Sequence, residues 1–269
     1  GCTVNPEAGR ELLVNALRPA GERARILVAG GGPGGLTAAA YAAERGHDVT
    51  LMEQEARLGG QMYLAAFPPC KQEIAKASGY MIRRADEAGV KILLNTKVTS
   101  ELAKKEKYDL VIVAAGSRNL LPRFLSGASQ LVTARDALEG KASVGRNVVI
   151  VGGGPVGCET ADYLIHPHLD LGARSRQVTL IEMDTVLARE ERTSARSLLI
   201  ARLLEKGCRI LTGAKVLSVE GDKIIYEQNG VQQMLTGVDT VVSAAGFTYE
   251  NPLAKELAAA GLSVHVITE

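Results

Sequence analysis

The chain has 269 residues, room for one large or two modest domains with real cores, and its 46% hydrophobic and 23% charged residues describe a soluble globular protein. Lys and Arg number 31 against 30 Asp and Glu, so neither nucleic acid nor an anionic membrane is expected as a partner. Tryptophan is absent and aromatics make up 4%, which removes base-stacking platforms and leaves an aliphatic core.

Residues 1–24 are mixed, carry two prolines and read as a leading segment. They lack the basic start and apolar centre of a signal peptide. From Arg25 the order becomes strand, helix, strand: "ILVAG", "GLTAAAYAAERG", "DVTLME". Lengths and β-branched content predict a parallel βαβ unit. This most apolar stretch, 26–43, is interrupted by five glycines and a proline, so no membrane span is expected. A helix-like stretch near 71–89 and the strands "KILLN" and "YDLVIVAAG" follow.

After a crossover rich in Leu, Ser and Pro (119–130) the scheme is written again: "NVVIVGGG", a helix through "CETADYLI", and the strand "QVTLIEM". The polar "HPHLDLGARSR" lengthens the link before that strand. His166 and His168 flank a proline there without further ligands nearby, so a loop is expected rather than a metal site. A helix over 191–206, alternating strands with hairpin turns at "EGDK" and "QNG", and "VDTVVSAAG", an echo of "YDLVIVAAG", complete the second half. The doubled motif thus predicts doubled domains, 25–140 with 248–269 around an inserted 141–247. Cysteines at 2, 70, 158 and 208 form no C-x-x-C pair, and reduced thiols in the cytoplasm are the simplest expectation.

Each half carries a glycine turn between strand and helix. In the first, Gly30 permits the tight turn, Gly32 lets backbone approach a diphosphate, and Gly35 lets the helix lie close on the strand. Glu53 ends the second strand, 23 residues after Gly30, where a carboxylate accepts from ribose hydroxyls. The second half offers Gly152, Gly154 and Gly157, with Glu182 thirty residues after Gly152. A carboxylate there accepts a 2′-hydroxyl and repels a 2′-phosphate, and the next arginine is Arg189, so NADH is expected over NADPH.

Glu53, Arg57 and the glycines of "GGQ" give E-x-x-x-R-x-G-G, which resembles the pattern of FAD-binding flavoproteins. There the arginine and paired glycines meet the flavin's diphosphate. The two "AAG" strand ends resemble the A-T-G motifs of the same flavoproteins. The implied fold is α/β, with two Rossmann-like, doubly wound dinucleotide domains and the NAD domain inserted in the FAD domain. The candidate cofactor contacts are Gly30, Gly32, Pro33, Gly34, Gly35, Glu53, Gln54, Arg57, Gly60, Gln61, Val98, Ala115 and Gly116 in the first half. In the second they are Gly152, Gly154, Pro155, Val156, Gly157, Glu159, Glu182, Ala245 and Gly246.

"CTVNPEAGRE" resembles the junction in multidomain NADH:flavin oxidoreductases of the old yellow enzyme class, such as 2,4-dienoyl-CoA reductase, enoate reductases and trimethylamine dehydrogenase. The likeness continues through "GGGPGGLTAA", "RGHDVTLME", "GGQ" and "GGGPVGCETADYL". It implies a preceding FMN-bearing barrel and a 4Fe-4S cluster whose last ligand matches Cys2, and hence a chain excised from a larger enzyme with an unfinished FAD half. It also implies hydride transfer from NADH to FAD, with electrons then passing through the cluster to FMN for reduction of an activated C=C bond. Glu159 matches a glutamate at the nicotinamide end in related reductases; a solvent-facing helix acid is the competing reading. No residue is expected to act in proton transfer, and the single Cys70, where disulfide reductases need a pair, argues against a disulfide substrate. The alternatives are an inactive nucleotide-binding or docking module and a self-contained NADH oxidase or ferredoxin reductase.

Overall fold

A computed structural model describes residues 7–14, 19–166, 176–249 and 251–267. The described chain divides into two compact units. One runs to Ala66 and takes in Cys70–Ser117 and the segment from Tyr249; the other takes in Phe67–Pro69 and Arg118–Thr248.

The first unit opens with the short helix α1 (Glu11–Val14), followed by β1 (Arg25–Ala29), α2 (Pro33–Glu44), β2 (Asp48–Met52), α3 (Gly60–Leu64), α4 (Ile74–Glu87), β3 (Lys91–Leu93), α5 (Ser100–Lys105) and β4 (Leu110–Val113). The second contains β5 (Arg118–Asn119), β6 (Leu131–Thr133), α6 (Ala134–Glu139), β7 (Asn147–Val151), α7 (Pro155–Leu164), β8 (Gln177–Ile181) and α8 (Ser194–Glu205). It continues with β9 (Arg209–Leu211), β10 (Ala214–Glu220), β11 (Lys223–Gln228), β12 (Val231–Leu235), β13 (Thr240–Ser243) and β14 (Phe247–Thr248). The chain then returns to the first unit with α9 (Pro252–Ala259) and β15 (Val264–Val266).

Each unit is built on a five-stranded parallel sheet, in the order β15-β4-β1-β2-β3 and β6-β13-β7-β8-β9. Strands in such a sheet are covered on both faces, which is why they read as unbroken apolar runs. In β1, Ile26 and Val28 pack with Leu36, Ala39 and Ala85, whereas Leu27 and Ala29 pack with Val111, Val113 and Leu257. In the second unit Val148 and Ile150 face Ala161, Leu199 and Leu203; Val149 and Val151 face Val216, Ile224 and Tyr226 of the antiparallel β10-β11-β12 sheet. Both strand orders reverse beside the strand that leads into the glycine turn, between β1 and β4 and between β7 and β13, the place where open α/β sheets leave a crevice for ligands. The crossover 119–130 and the strand–helix pair β6–α6 pack in the second unit.

The helix after the second glycine turn is fixed by charge as well as packing. Asp162 of α7 is fully buried and accepts from Arg202 at 2.8 and 3.1 Å and from Lys206 at 3.0 Å. In the first unit Glu7 accepts from the Tyr41 hydroxyl at 2.6 Å and from Arg84, whose guanidinium also binds Glu44 and lies 4.3 Å from the Tyr41 ring. That cluster ties the segment around Glu7 to α2 and α4. Among the described residues no helix is long and apolar enough to cross a membrane.

Candidate cofactor sites

The chain leaves β1 through Gly30, whose φ of 115° suits glycine. A β-carbon there would strike the carbonyl of Ala114, where β4 ends; one at Gly35 would strike the carbonyl of Gly30. Strand exit, helix start and neighbouring strand end are therefore in backbone contact. Above this point the space opens: a β-carbon on Gly32 meets nothing nearer than the Gly60 Cα at 3.9 Å. Gly32 caps α2 without a side-chain hydrogen bond, and Pro33 brings no N–H. The remaining N–H groups of the first turn, at the positive end of a 12-residue helix, are presented to an anion. This cradle fits a dinucleotide diphosphate.

Glu53 is 8% exposed and both its oxygens are used. Oε2 accepts from the Gly31 N–H at 2.7 Å and Oε1 from the Glu55 N–H at 2.8 Å. The glycine turn thus also aims the carboxylate, whose remaining lone pairs can accept from hydroxyl groups. Gly31 has its own constraint, because a β-carbon would collide with Leu58 and sit 3.2 Å from Glu53 Oε2.

The second unit repeats this arrangement. Gly152 has φ 109° and lies against the Ala244 carbonyl, and Gly157 lies against the Gly152 carbonyl. Glu182 Oε2 accepts from Gly153 N–H, and Oε1 from Asp184 N–H at 2.7 Å. A β-carbon on Gly153 would lie 2.5 Å from Leu187 and 2.7 Å from Glu182 Cβ, whereas on Gly154 it meets only Glu190 Oε2 at 3.9 Å. Gly154 caps α7, with Pro155 at the first turn.

The loops that follow the acids correspond position by position. Gly59 N–H binds the Gly31 carbonyl at 2.9 Å; Ala188 N–H binds the Gly153 carbonyl at 2.7 Å and takes φ 44° in Gly59's place. Two positions diverge. Arg57, exposed and stacked 4.2 Å from the Tyr63 ring, stands where the second loop has Val186. Gly60, where a β-carbon would lie 3.0 Å from Gly32 Cα, stands where it has Arg189. Arg189 makes a two-bond pair with Asp184, Nε to Oδ2 and Nη2 to Oδ1, both 2.6 Å, and this guanidinium holds the Asp184 carboxyl down at about 2.

The structure gathers the expected residues of the first unit unevenly. Gly30, Gly32, Pro33, Gly34 and Gly35 form the turn and helix start, with Glu53 and Gly60 beside it. Gln61 joins it to the strand end after β4 by donating to Ser117 Oγ at 3.0 Å. Gln54, Ala115 and Gly116 are exposed. The Val98 side chain is in the core with Leu27, Met52 and Leu257. In the second unit Pro155, Val156 and Glu159 lie along the first turns of α7, Glu159 half-buried, while Ala245 is half-buried and Gly246 exposed beyond β13. Cys2 and His168 lie outside the described residues.

Sequence reasoning missed Gly31 and Gly153, which bind the acids, and Ala114 and Ala244, which abut the turns. A signal was available: a leucine five residues after each acid, Leu58 and Leu187, both packing on the middle glycine. One thiol underlies the second turn: Cys158 Sγ donates to the Gly153 carbonyl at 3.3 Å. Burial pushes Cys158 up to about 12 and Cys208 to about 11, so both stay protonated, while Cys70 is exposed. Among the described residues no group of three or more His, Cys, Asp or Glu side chains could hold a metal ion.

A family model described as pyridine nucleotide-disulphide oxidoreductase matches residues 24–266. An NADH oxidase of Thermoanaerobacter brockii is 33% identical over 99% of this chain and 41% of its own length. A cinnamate reductase of Clostridium sporogenes is 32% identical over 95% of this chain and 37% of its own. A solved structure of 2-naphthoyl-CoA reductase with 2-naphthoyl-CoA superposes with a TM-score of 0.87 at 28% identity, over 99% of this chain and 40% of that one. The chain therefore spans about two fifths of the length of these relatives.

Proposed function

The chain belongs to the pyridine nucleotide-disulphide oxidoreductase family, and on that premise we propose that its first unit holds FAD and its second NADH, with hydride passing from NADH to the flavin. The observation that carries this reading is the pair of glycine turns, each with an acid fastened to its middle glycine. The divergence of the two loops supports the division of labour. Only the first has an arginine four residues after its acid, Arg57, followed by paired glycines, Gly59 and Gly60, which suits the longer flavin dinucleotide. The sequence division, 25–140 with 248–269 for FAD and 141–247 for NADH after a leading 1–24, differs from the two units in that 118–140 packs with the second; we assign FAD to the first unit and NADH to the second.

Hydride transfer itself is supplied by the two cofactors and needs no acid or base from the protein. What the chain contributes is placement: open space over Gly32 and Gly154, N–H groups for each diphosphate, and Glu53 and Glu182 for the ribose hydroxyls. Glu159, on the first turns of α7, is assigned to the nicotinamide end. In a larger parent protein we propose that electrons continue through a 4Fe-4S cluster, with Cys2 as its fourth ligand, to FMN in a partner barrel domain. There they reduce an activated C=C bond, a reading supported by the reductase names of the relatives. The free thiols Cys70, Cys158 and Cys208 suit a cytoplasmic setting.

The test is a visible spectrum of the purified chain as FAD and then NADH are added without oxygen. A flavin band at about 450 nm that stays with the protein and bleaches with NADH is the expected result. A protein that never retains FAD refutes the assignment of the first unit and leaves a nucleotide-binding module.

A further inference from the structure

The acid loop of the second unit carries its arginine at a position where its counterpart has a glycine. Arg189 takes the position of Gly60, and its neighbour Glu190 lies 3.9 Å from where a β-carbon of Gly154 would be, so this stretch runs beside the glycine turn. At the other end of the loop the Asp184 N–H binds Glu182, the acid assigned above to the ribose. Arg189 is thus on the same rim as Glu182. A guanidinium there is the group that binds a ribose 2′-phosphate in sites built for NADPH. Here its Nε and one Nη2 N–H are committed to Asp184 at 2.6 Å each, although the arginine side chain is 60% exposed. That fork holds the guanidinium toward Asp184 and balances its charge, so a second anion would meet only the outer Nη1 edge of an already neutralised group.

We propose that Asp184 is a specificity-determining residue: it sequesters Arg189, and the resulting ion pair, together with the repulsion from Glu182, keeps NADPH out of the second unit. The inference rests on the assignment of NADH to that unit. Discrimination is then divided between two carboxylates with different tasks. Glu182 accepts the 2′-hydroxyl and repels a phosphate, and Asp184 withholds the only arginine the loop could turn toward it. Releasing Arg189 makes one charge-assisted contact to the 2′-phosphate available while Glu182 still opposes it.

The experiment measures dissociation constants for NADH and NADPH, by quenching of nicotinamide fluorescence, in the purified chain and its variants. Wild type should prefer NADH. Asp184→Asn should narrow the preference by about tenfold, through tighter NADPH binding that weakens as salt is raised. Asp184→Ser should do the same through a smaller side chain, which guards against a variant that fails to fold. Asp184→Asn combined with Arg189→Ala restores the net charge of wild type and should restore its preference. An unchanged preference in an Asp184 variant that still binds NADH overturns the proposal, as does a gain that survives loss of Arg189. A wild-type chain that binds neither nucleotide refutes the assignment of the second unit itself, and the sequestration with it.

Discussion

Replacing Gly154 by alanine separates the two duties a glycine turn can have. Gly154 has φ −64° and ψ −179°, extended backbone open to any residue, and the new methyl's nearest neighbour is Glu190 Oε2 at 3.9 Å. No atom must move. Restricting the unfolded chain favours the variant by about 0.4–1 kcal/mol, and alanine's weakness as an N-cap disfavours it by about 0.5–1 kcal/mol. These offset, so stability should stay within about 1 kcal/mol of wild type. Binding should not stay the same, because the methyl occupies the side from which a diphosphate approaches. Losing one charge-assisted hydrogen bond of about 1.5–3 kcal/mol weakens NADH roughly ten- to hundredfold. Gly157→Ala is the contrast: its β-carbon would strike the Gly152 carbonyl oxygen and lie 2.9 Å from the carbonyl carbon, backbone that cannot step aside. It should cost about 1–3 kcal/mol or more and lower Tm by several degrees. Thermal melts and NADH titration on both variants decide the matter. A Gly154→Ala chain that binds NADH like wild type, or that melts as early as Gly157→Ala, would refute the reasoning.

Asp162→Ala strands Arg202 and Lys206 half-buried without their acid and should destabilise the second unit by about 3–5 kcal/mol in urea unfolding; an unmoved midpoint would mean that the cluster contributes nothing. The Tyr41 hydroxyl first, then Arg84, hold the Glu7 carboxyl below the usual carboxylate range against the effect of burial. The folded chain therefore binds that proton less tightly than the unfolded one, and this contribution to stability is present above about pH 5 and lost as the pH falls through and below the range of ordinary carboxylates. Glu7→Gln should flatten that acid limb, and unfolding midpoints of both proteins between pH 6 and 3 (a window set by about the ordinary carboxylate value) would show it. Of the three described thiols only Cys70 should react with a disulfide reagent in the native protein; rapid loss of a second, buried thiol would contradict the packing around Cys158 and Cys208.

The long elements were legible because burial on both faces writes itself as apolar runs: β1, β2, β7 and β8 and the helices after the glycine turns fall where the sequence puts them. Short ones were not. α5 and α6 have six residues each and depend on a single threonine cap, Thr99 accepting from Leu102 N–H and Thr133 from Asp136 N–H. α9 has eight and depends on Asn251. Too brief to show a period, they are fixed by the sheet they cover. β5 and β14 pair over two residues, extended by Leu120 N–H to the Gly246 carbonyl, a link between positions 126 residues apart that no local pattern announces. At the sites, the acids and flanking glycines were readable from spacing. The middle glycines were not, since a motif that writes them as "x" treats as free the residue whose N–H aims the carboxylate.

The two acid loops, 53–61 and 182–190, begin at matching carboxylates and are pinned to matching carbonyls, although the offset between the halves is 122 residues at the glycine turns (152 − 30) and 129 at the acids (182 − 53). The seven additional residues fall between turn and acid, away from either loop. A nine-residue cassette is therefore a unit in which the halves differ, its acid and its leucine shared while Arg57 and Gly60 give way to Val186 and Arg189. Each molecule carries its own reference copy. Exchanging the cassettes would ask whether the identity of a bound nucleotide is written in nine residues or in the fold that displays them.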